Sequence, residues 1–154
     1  MPTVTVPAPE DCNCFAVRSA ARHVTQLYDQ RLASVGLRVT QFSILARLRS
    51  RGPLTINALA EDMVMDRTTL GRNIQPLERD GLIRIEPAPS DRRAKELHLT
   101  KAGEKRLQVG LEAWAKAQAR FEASFGTKRA AELRMLLRAV VASQFRLTGR
   151  DARQ

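Results

Sequence analysis

The sequence predicts a mainly α-helical chain with one small antiparallel β-hairpin, and three observations carry that expectation. Apolar residues recur at helical spacing towards both ends of the chain. In the middle, Leu70, Ile74 and Leu77 mark the buried face of a short helix that follows the turn Val64-Met65-Asp66. Directly after it, Ile83 and Ile85, then Leu97 and Leu99, alternate with polar residues as two antiparallel strands with one buried face. Helix, turn, helix and hairpin in that order make a winged helix-turn-helix domain. The long apolar segments on either side make it one flanked by N- and C-terminal dimerisation helices.

The first helix covers 12–35. Its apolar positions are Phe15, Val17, Ala20, Ala21, Val24, Leu27, Tyr28 and Leu32, and Gly36 is placed to cap its end. Thr40 is the expected N-cap of a second helix, with Phe42, Ile44, Leu45 and Leu48 inward. Arg47, Arg49 and Arg51 near its end suit the negative pole of the helix dipole. Leu54-Thr55-Ile56 allows a one-rung strand, and Asn57 to Met63 a brief helix. Asp66 is placed to cap the next helix near Thr68 or Thr69. A wheel of about 100° per residue puts Thr68, Gly71, Arg72, Gln75 and Arg79 opposite the buried stripe.

Thr100 caps a long helix whose Leu107, Leu111, Trp114, Phe121 and Phe125 form a heptad-like seam ending at Gly126. A last helix runs from about Lys128 to Phe145. The expected organisation is a disordered arm (1–11), the first dimerisation helix (12–35), the winged helix-turn-helix domain (36–100), the C-terminal dimerisation helices (101–147) and a polar tail (148–154). Apolar seams that a small winged domain cannot cover imply a two-fold homodimer.

Charge narrows the partner. Across 154 residues, 26 Lys and Arg face 16 Asp and Glu, for a net charge of +10. Such an excess seeks a polyanion, either nucleic acid or an anionic membrane surface. No apolar run approaches the roughly 18 residues that span a bilayer, and no membrane partner is expected. The first nine residues hold three prolines and no basic residue, unlike a signal or transit peptide. Cys12 and Cys14 are too close to form a structural disulfide framework, so a cytoplasmic protein is expected. The chain offers no Ser/His/Asp set, no phosphate-binding glycine loop and no metal cluster. Its only histidines are His23 and His98. The expectation is therefore no enzyme, no catalytic residue, no metal site and no cofactor.

The pattern that remains is one for reading double-stranded DNA. A helix with Arg, Thr and Gln on its outer face fits a major groove, and an arginine-tipped hairpin fits the adjoining minor groove or backbone. The candidate DNA contacts are Arg67, Thr68, Thr69, Arg72 and Gln75 on the helix, with Arg92, Arg93 and Lys95 on the hairpin. Arg72 is the best candidate for a base, since a guanidinium donates two bonds to guanine. Gly71 costs about 1 kcal/mol relative to alanine in a helix, and close approach to DNA would account for it. Pro76 cannot donate to the carbonyl of Arg72 and should bend the helix.

Several segments resemble the MarR family of bacterial regulators: Leu59-Ala60; Asp66-Arg67-Thr68-Thr69-Leu70; Ile74 to Ile83; and Asp91-Arg92-Arg93 leading to Leu97-His98-Leu99-Thr100. The resemblance covers roughly 12–145, and its most specific part is Asp91-x-Arg93. It implies that Arg93 enters the minor groove, that Asp91 orients the wing, and that the chain dimerises through its terminal helices. It also implies repression relieved by a small molecule, often an aromatic acid, or by an oxidant. Arg18, His23, Tyr28 and Phe42 are the candidate effector-pocket residues. Cys14-Phe15-Ala16-Val17 and Tyr28 resemble the organic-hydroperoxide branch, which makes Cys14, with Cys12 beside it, the redox candidate. Arg18 and Val39 stand where that branch has its other tyrosines.

Overall fold

In the computed structural model, which describes residues 5–143 and 145, the chain separates into two compact units that divide after Ala117. The first unit begins with a 3-10 turn, Pro9–Asp11, inside the segment expected to be a disordered arm. Helix α1 (Asn13–Leu32) follows, extended by a 3-10 turn, Ala33–Val35. Gly36 ends it at φ 71°, where a glycine avoids the penalty other residues would incur. The Arg106 guanidinium of the long helix donates to the Val35 carbonyl at 3.2 Å and ties this corner down.

Helix α2 spans Val39–Arg51. Thr40 was the expected cap, but Arg38 takes that place and the helix begins two residues earlier. The reason is tertiary: Asp29 Oδ1, on α1, accepts from the Val39 amide at 2.7 Å. Gln41 Oε1 accepts from the Arg38 amide at 3.0 Å. Strand β1 (Leu54–Thr55) leads into α3 (Ile56–Asp62), whose first turn is capped by the Thr55 hydroxyl accepting from Ala58 N. Asp62 fastens α3 to α2. Its Oδ1 lies 3.0 Å from Arg51, and its Oδ2 lies 3.3 Å from Arg47, an ion-pair distance without hydrogen-bond geometry.

Helix α4 (Arg67–Arg79) buries Leu70, Ile74 and Leu77, as the periodicity predicts, and carries Pro76 inside it. Strands β2 (Ile83–Pro87) and β3 (Lys95–Leu99) pair antiparallel, Ile83 opposite Leu99 and Ile85 opposite Leu97. β1 adds to the free edge of β3, with Leu54 opposite Leu97, so the sheet order is β1-β3-β2. Leu97 is fully buried and sits where all three strands meet the core. That core also takes Leu32, Leu37, Phe42, Ile44, Leu45, Leu48, Leu59 and Leu107.

Helix α5 (Lys101–Phe125) starts at Thr100, as expected. The Thr100 hydroxyl accepts from Gly103 N at 3.0 Å and approaches the carbonyls of Gly81 and Leu82 at 2.7 and 3.0 Å as a donor. The expected seam along α5 divides. Leu107 is buried in the core of the first unit and Trp114 stacks on Phe42, with ring centroids 6.3 Å apart. Gly110 faces the Phe42 ring at a distance that leaves little room for a side chain.

The second unit covers 118–154. In it Phe121 and Phe125 tilt against each other at 5.5 Å and Arg129 lies over the Phe125 ring. Helix α6 (Thr127–Ala142) ends three residues before the expected Phe145. Its Met135, Leu136, Val140 and Val141 are exposed, as is Phe145 beyond it. The expected polar tail, 148–154, lies outside the described residues.

Candidate nucleic-acid interface

The start of α4 is set by one carboxylate. Asp66 Oδ1 accepts from the Thr69 amide at 2.8 Å and Oδ2 from the Thr69 hydroxyl at 2.7 Å. These bonds, the hydroxyl's first, hold the Asp66 carboxyl below the usual carboxylate range. The cap's contribution is therefore present above that range and is lost as the pH falls through the lowered value. The Thr69 hydroxyl hydrogen is committed to Asp66, so Thr69 has only acceptor lone pairs and a methyl group to offer. Asn73 Nδ2 donates back to the Thr69 carbonyl at 2.9 Å.

Arg67, Thr68, Arg72 and Gln75 are exposed. Among the described residues none of the four has a side-chain hydrogen bond or ion pair. Arg79, by contrast, is paired with Asp80 at 3.1 Å. The outer face of α4 thus keeps its forward cations unneutralised and neutralises the one near its end.

The hairpin tip is held from its own backbone. Asp91 Oδ1 accepts from the Arg93 amide at 3.0 Å, and the Ala94 amide donates to the Asp91 carbonyl at 3.0 Å. Ala88 N closes the turn on the Ala94 carbonyl at 2.9 Å. Asp91 shapes the main chain at Arg93, while the guanidinium groups of Arg92 and Arg93 and the ammonium of Lys95 are exposed and unpaired among the described residues.

The outer face of the hairpin carries a charge cluster that the sequence reading did not single out. His98 Nε2 lies 3.2 Å from Glu96 and 3.7 Å from Glu86, and Arg84 Nε donates to Glu86. Strand alternation was the available signal, because Arg84 faces His98 and Glu86 faces Glu96 across the ladder. Both acidic side chains find their partners within the hairpin, Glu86 in Arg84 and Glu96 in His98, and neither reaches the tip arginines.

The four residues named for an effector pocket do not share one environment. Arg18 and His23 are exposed on α1, Tyr28 is half-buried, and Phe42 is buried in the core against Trp114. Two clefts lie beside the α1–α2 corner. One, of about 320 Å³, is lined by Gln30, Arg31, Val35, Val109, Glu112 and Lys116 among others, the other by Asp29, Gly36, Arg38 and Gln41 among others. None of the four named residues lines either. Cys12 and Cys14 are both free and exposed, and Cys12 Sγ accepts from the Phe15 amide at 3.4 Å as the cap of α1. No group of metal-binding side chains occurs among the described residues. No helix among them is long and apolar enough to cross a membrane.

Comparison with known proteins matches this geometry. The profile of the MarR family matches residues 37–95, which run from just before α2 to the first residue of β3. The transcriptional regulator MosR of M. tuberculosis is 36% identical with a TM-score of 0.74, over 88% of this chain and all of that one. MosR in complex with DNA aligns with a TM-score of 0.73, at 36% identity over 86% of this chain and 98% of that one. The transcriptional repressor NicR of Pseudomonas putida is 29% identical over 56% of this chain and 55% of its own length. The organic hydroperoxide resistance regulator of Bacillus subtilis is 27% identical over 58% of this chain and 61% of its own. The chain spans little more than half the length of these two curated relatives. The chain belongs to the MarR family of winged-helix transcriptional regulators.

Proposed function

We propose that the protein is a sequence-specific DNA-binding repressor that sits as a homodimer on a palindromic operator and is released by a small effector. The observation that carries this reading is the row of exposed, unpaired cations. Arg67 and Arg72 lie on α4, and Arg92, Arg93 and Lys95 lie on the adjoining hairpin. Unpaired guanidinium groups on a helix face and a hairpin tip suit guanine edges in a major groove and phosphates or a narrow minor groove beside it. MosR, solved with DNA, supports the placement, and NicR, a repressor, supports the direction of control.

In this reading α4 lies in the major groove. Arg72 donates to guanine O6 and N7, Gln75 and Thr68 touch neighbouring edges, and Thr69 contributes only an acceptor or its methyl group. Arg93 reaches the minor groove from a turn shaped by Asp91. Residues 36–100 form the reading unit, while 12–35 and 101–147 supply the dimer. The exposed apolar face of α6 supports that division. The effector is of the aromatic-acid type implied by the family, and Arg18, His23 and Tyr28 are better placed to meet it than the buried Phe42. A regulator working on DNA acts in the cytoplasm, and no enzymatic step is part of the reading.

Arg93→Ala should weaken operator binding by about 1–3 kcal/mol in a gel-shift titration, with the dimer intact by size exclusion. Unchanged affinity would remove the wing from the interface. In the same assay Arg72→Ala should relax preference at one base pair per half-site. A uniform loss across all base substitutions would make Arg72 a phosphate contact instead.

A second reading is thiol-based release. Two exposed thiols at the start of α1 favour it, together with the hydroperoxide-responsive name of one relative. Organic hydroperoxide should then abolish DNA binding in the wild type and not in Cys14→Ser; loss that persists in the variant excludes Cys14 as the sensor.

A further inference from the structure

Gly71 has no reason of its own to be glycine. Gly36, Gly52, Gly81 and Gly126 adopt positive φ, which side chains resist. Gly103 and Gly110 lie against Leu82 and Phe42, where a Cβ would collide or crowd. Gly71 is the one described glycine that meets neither condition. Its backbone is helical, and a Cβ built on it would find nothing within 4 Å. Alanine there would stabilise the free protein, since glycine in a helix interior costs about 1 kcal/mol. The clearance therefore serves something outside the chain.

The chemistry of that something is restricted. Gly71 lies in the second turn of α4, so its amide belongs to the helix's own ladder and has no hydrogen bond to give. A phosphate or a polar base edge would gain nothing from approaching it. Thr68 and Gln75, its i−3 and i+4 neighbours on the same face, border the gap with longer side chains. What fits is a small apolar protrusion, and in the major groove the base-pair edges offer one, the C5-methyl of thymine. We infer that Gly71 is a specificity-determining residue, leaving a notch between Thr68 and Gln75 that seats one thymine methyl per half-site. This rests on the placement of α4 in the major groove proposed above.

The test uses a duplex selected by the wild-type full-length protein from a randomised library, and copies of it in which each thymine in turn is replaced by deoxyuridine. That exchange deletes the methyl and keeps every hydrogen-bonding atom of the edge. Fluorescence-anisotropy titration should find one thymine per half-site whose replacement weakens wild-type binding about fourfold, the worth of one buried methyl group. Gly71→Ala should bind the parent duplex at least about fourfold more weakly and be indifferent to that replacement. Its midpoint of thermal unfolding should rise by about 2–4 °C, which separates lost recognition from lost folding. A wild type indifferent to every deoxyuridine, or a Gly71→Ala that binds and discriminates like the wild type, overturns the inference. Arg72→Ala separates the two levels. If it weakens binding while the deoxyuridine series is flat, the notch alone falls. If it changes nothing, or no duplex can be selected, the placement of α4 falls with it.

Discussion

The two compact units of this chain dispose of their apolar side chains in opposite ways. In the first, up to Ala117, nine large leucine and isoleucine side chains from α1 to the start of α5 are sealed from water, while Val6, Phe15, Val17, Val64 and Val109 stay exposed. In the second, Ala130 is the one buried hydrophobic among the described residues. Met135, Leu136, Val140, Val141 and Phe145 stand 46–77% exposed. A patch of that kind is not a surface a solitary chain keeps without a use. The core of the winged part is covered from within; the last helix is written for company, and a second copy is the partner proposed above.

Three variants would break or sharpen that contrast. The largest effect is expected from Leu136→Glu with Val140→Glu, which puts carboxylates on the exposed apolar face of α6. The protein should elute as a monomer with an unchanged far-ultraviolet circular dichroism spectrum. Its operator affinity should fall towards the non-specific level, about three orders of magnitude or more. A persistent dimer would remove α6 from the proposed interface. Next is Leu97→Ala, in the buried core of the first unit. Leu97 is fully buried at the centre of the sheet, so the loss should be about 2–5 kcal/mol of folding stability by urea titration. A cost below that range would mean that the core collapses readily around the cavity.

The smallest effect runs the other way. Val64, in the turn between α3 and α4, holds φ at 52° although it is β-branched and exposed. Val64→Gly should stabilise the protein by about 1–2 kcal/mol, read as a higher denaturation midpoint with an unchanged slope. A destabilised variant would show that the valine side chain has packing worth more than its strain.

What the sequence revealed follows the range of the forces involved. Leu70, Ile74 and Leu77 were legible because burial along one helix repeats at the helix's own period. Asp66 and Thr100 were legible as caps because a cap reaches only three residues forward. The start of α2 was not, because the group that caps it, Asp29, sits ten residues away and arrives through packing of α1 on α2. Phe42 was named for a pocket, yet it is buried against Trp114, 72 positions along the chain, a pairing that no local pattern encodes. The strain at Val64 was invisible for a different reason: β-branched residues argue against a left-handed turn, and the tertiary frame overrides them. Of the site, the charged residues were readable as types and spacings. The commitment of the Thr69 hydroxyl to Asp66, and the pairing of Glu86 and Glu96 with Arg84 and His98, needed the three-dimensional register.

The junction at Thr100 has a mechanical meaning. Its hydroxyl reaches the carbonyls that follow α4 while accepting from the first turn of α5, and its amide donates to Leu82 O at 3.1 Å. Gly103 presses so close to the same carbonyl that a methyl group could not be inserted. The end of the reading helix, the root of the hairpin and the base of the long helix are thereby welded at one point. A torque applied to the first turn of α5 would act on helix and hairpin together, as a key turns with its bow.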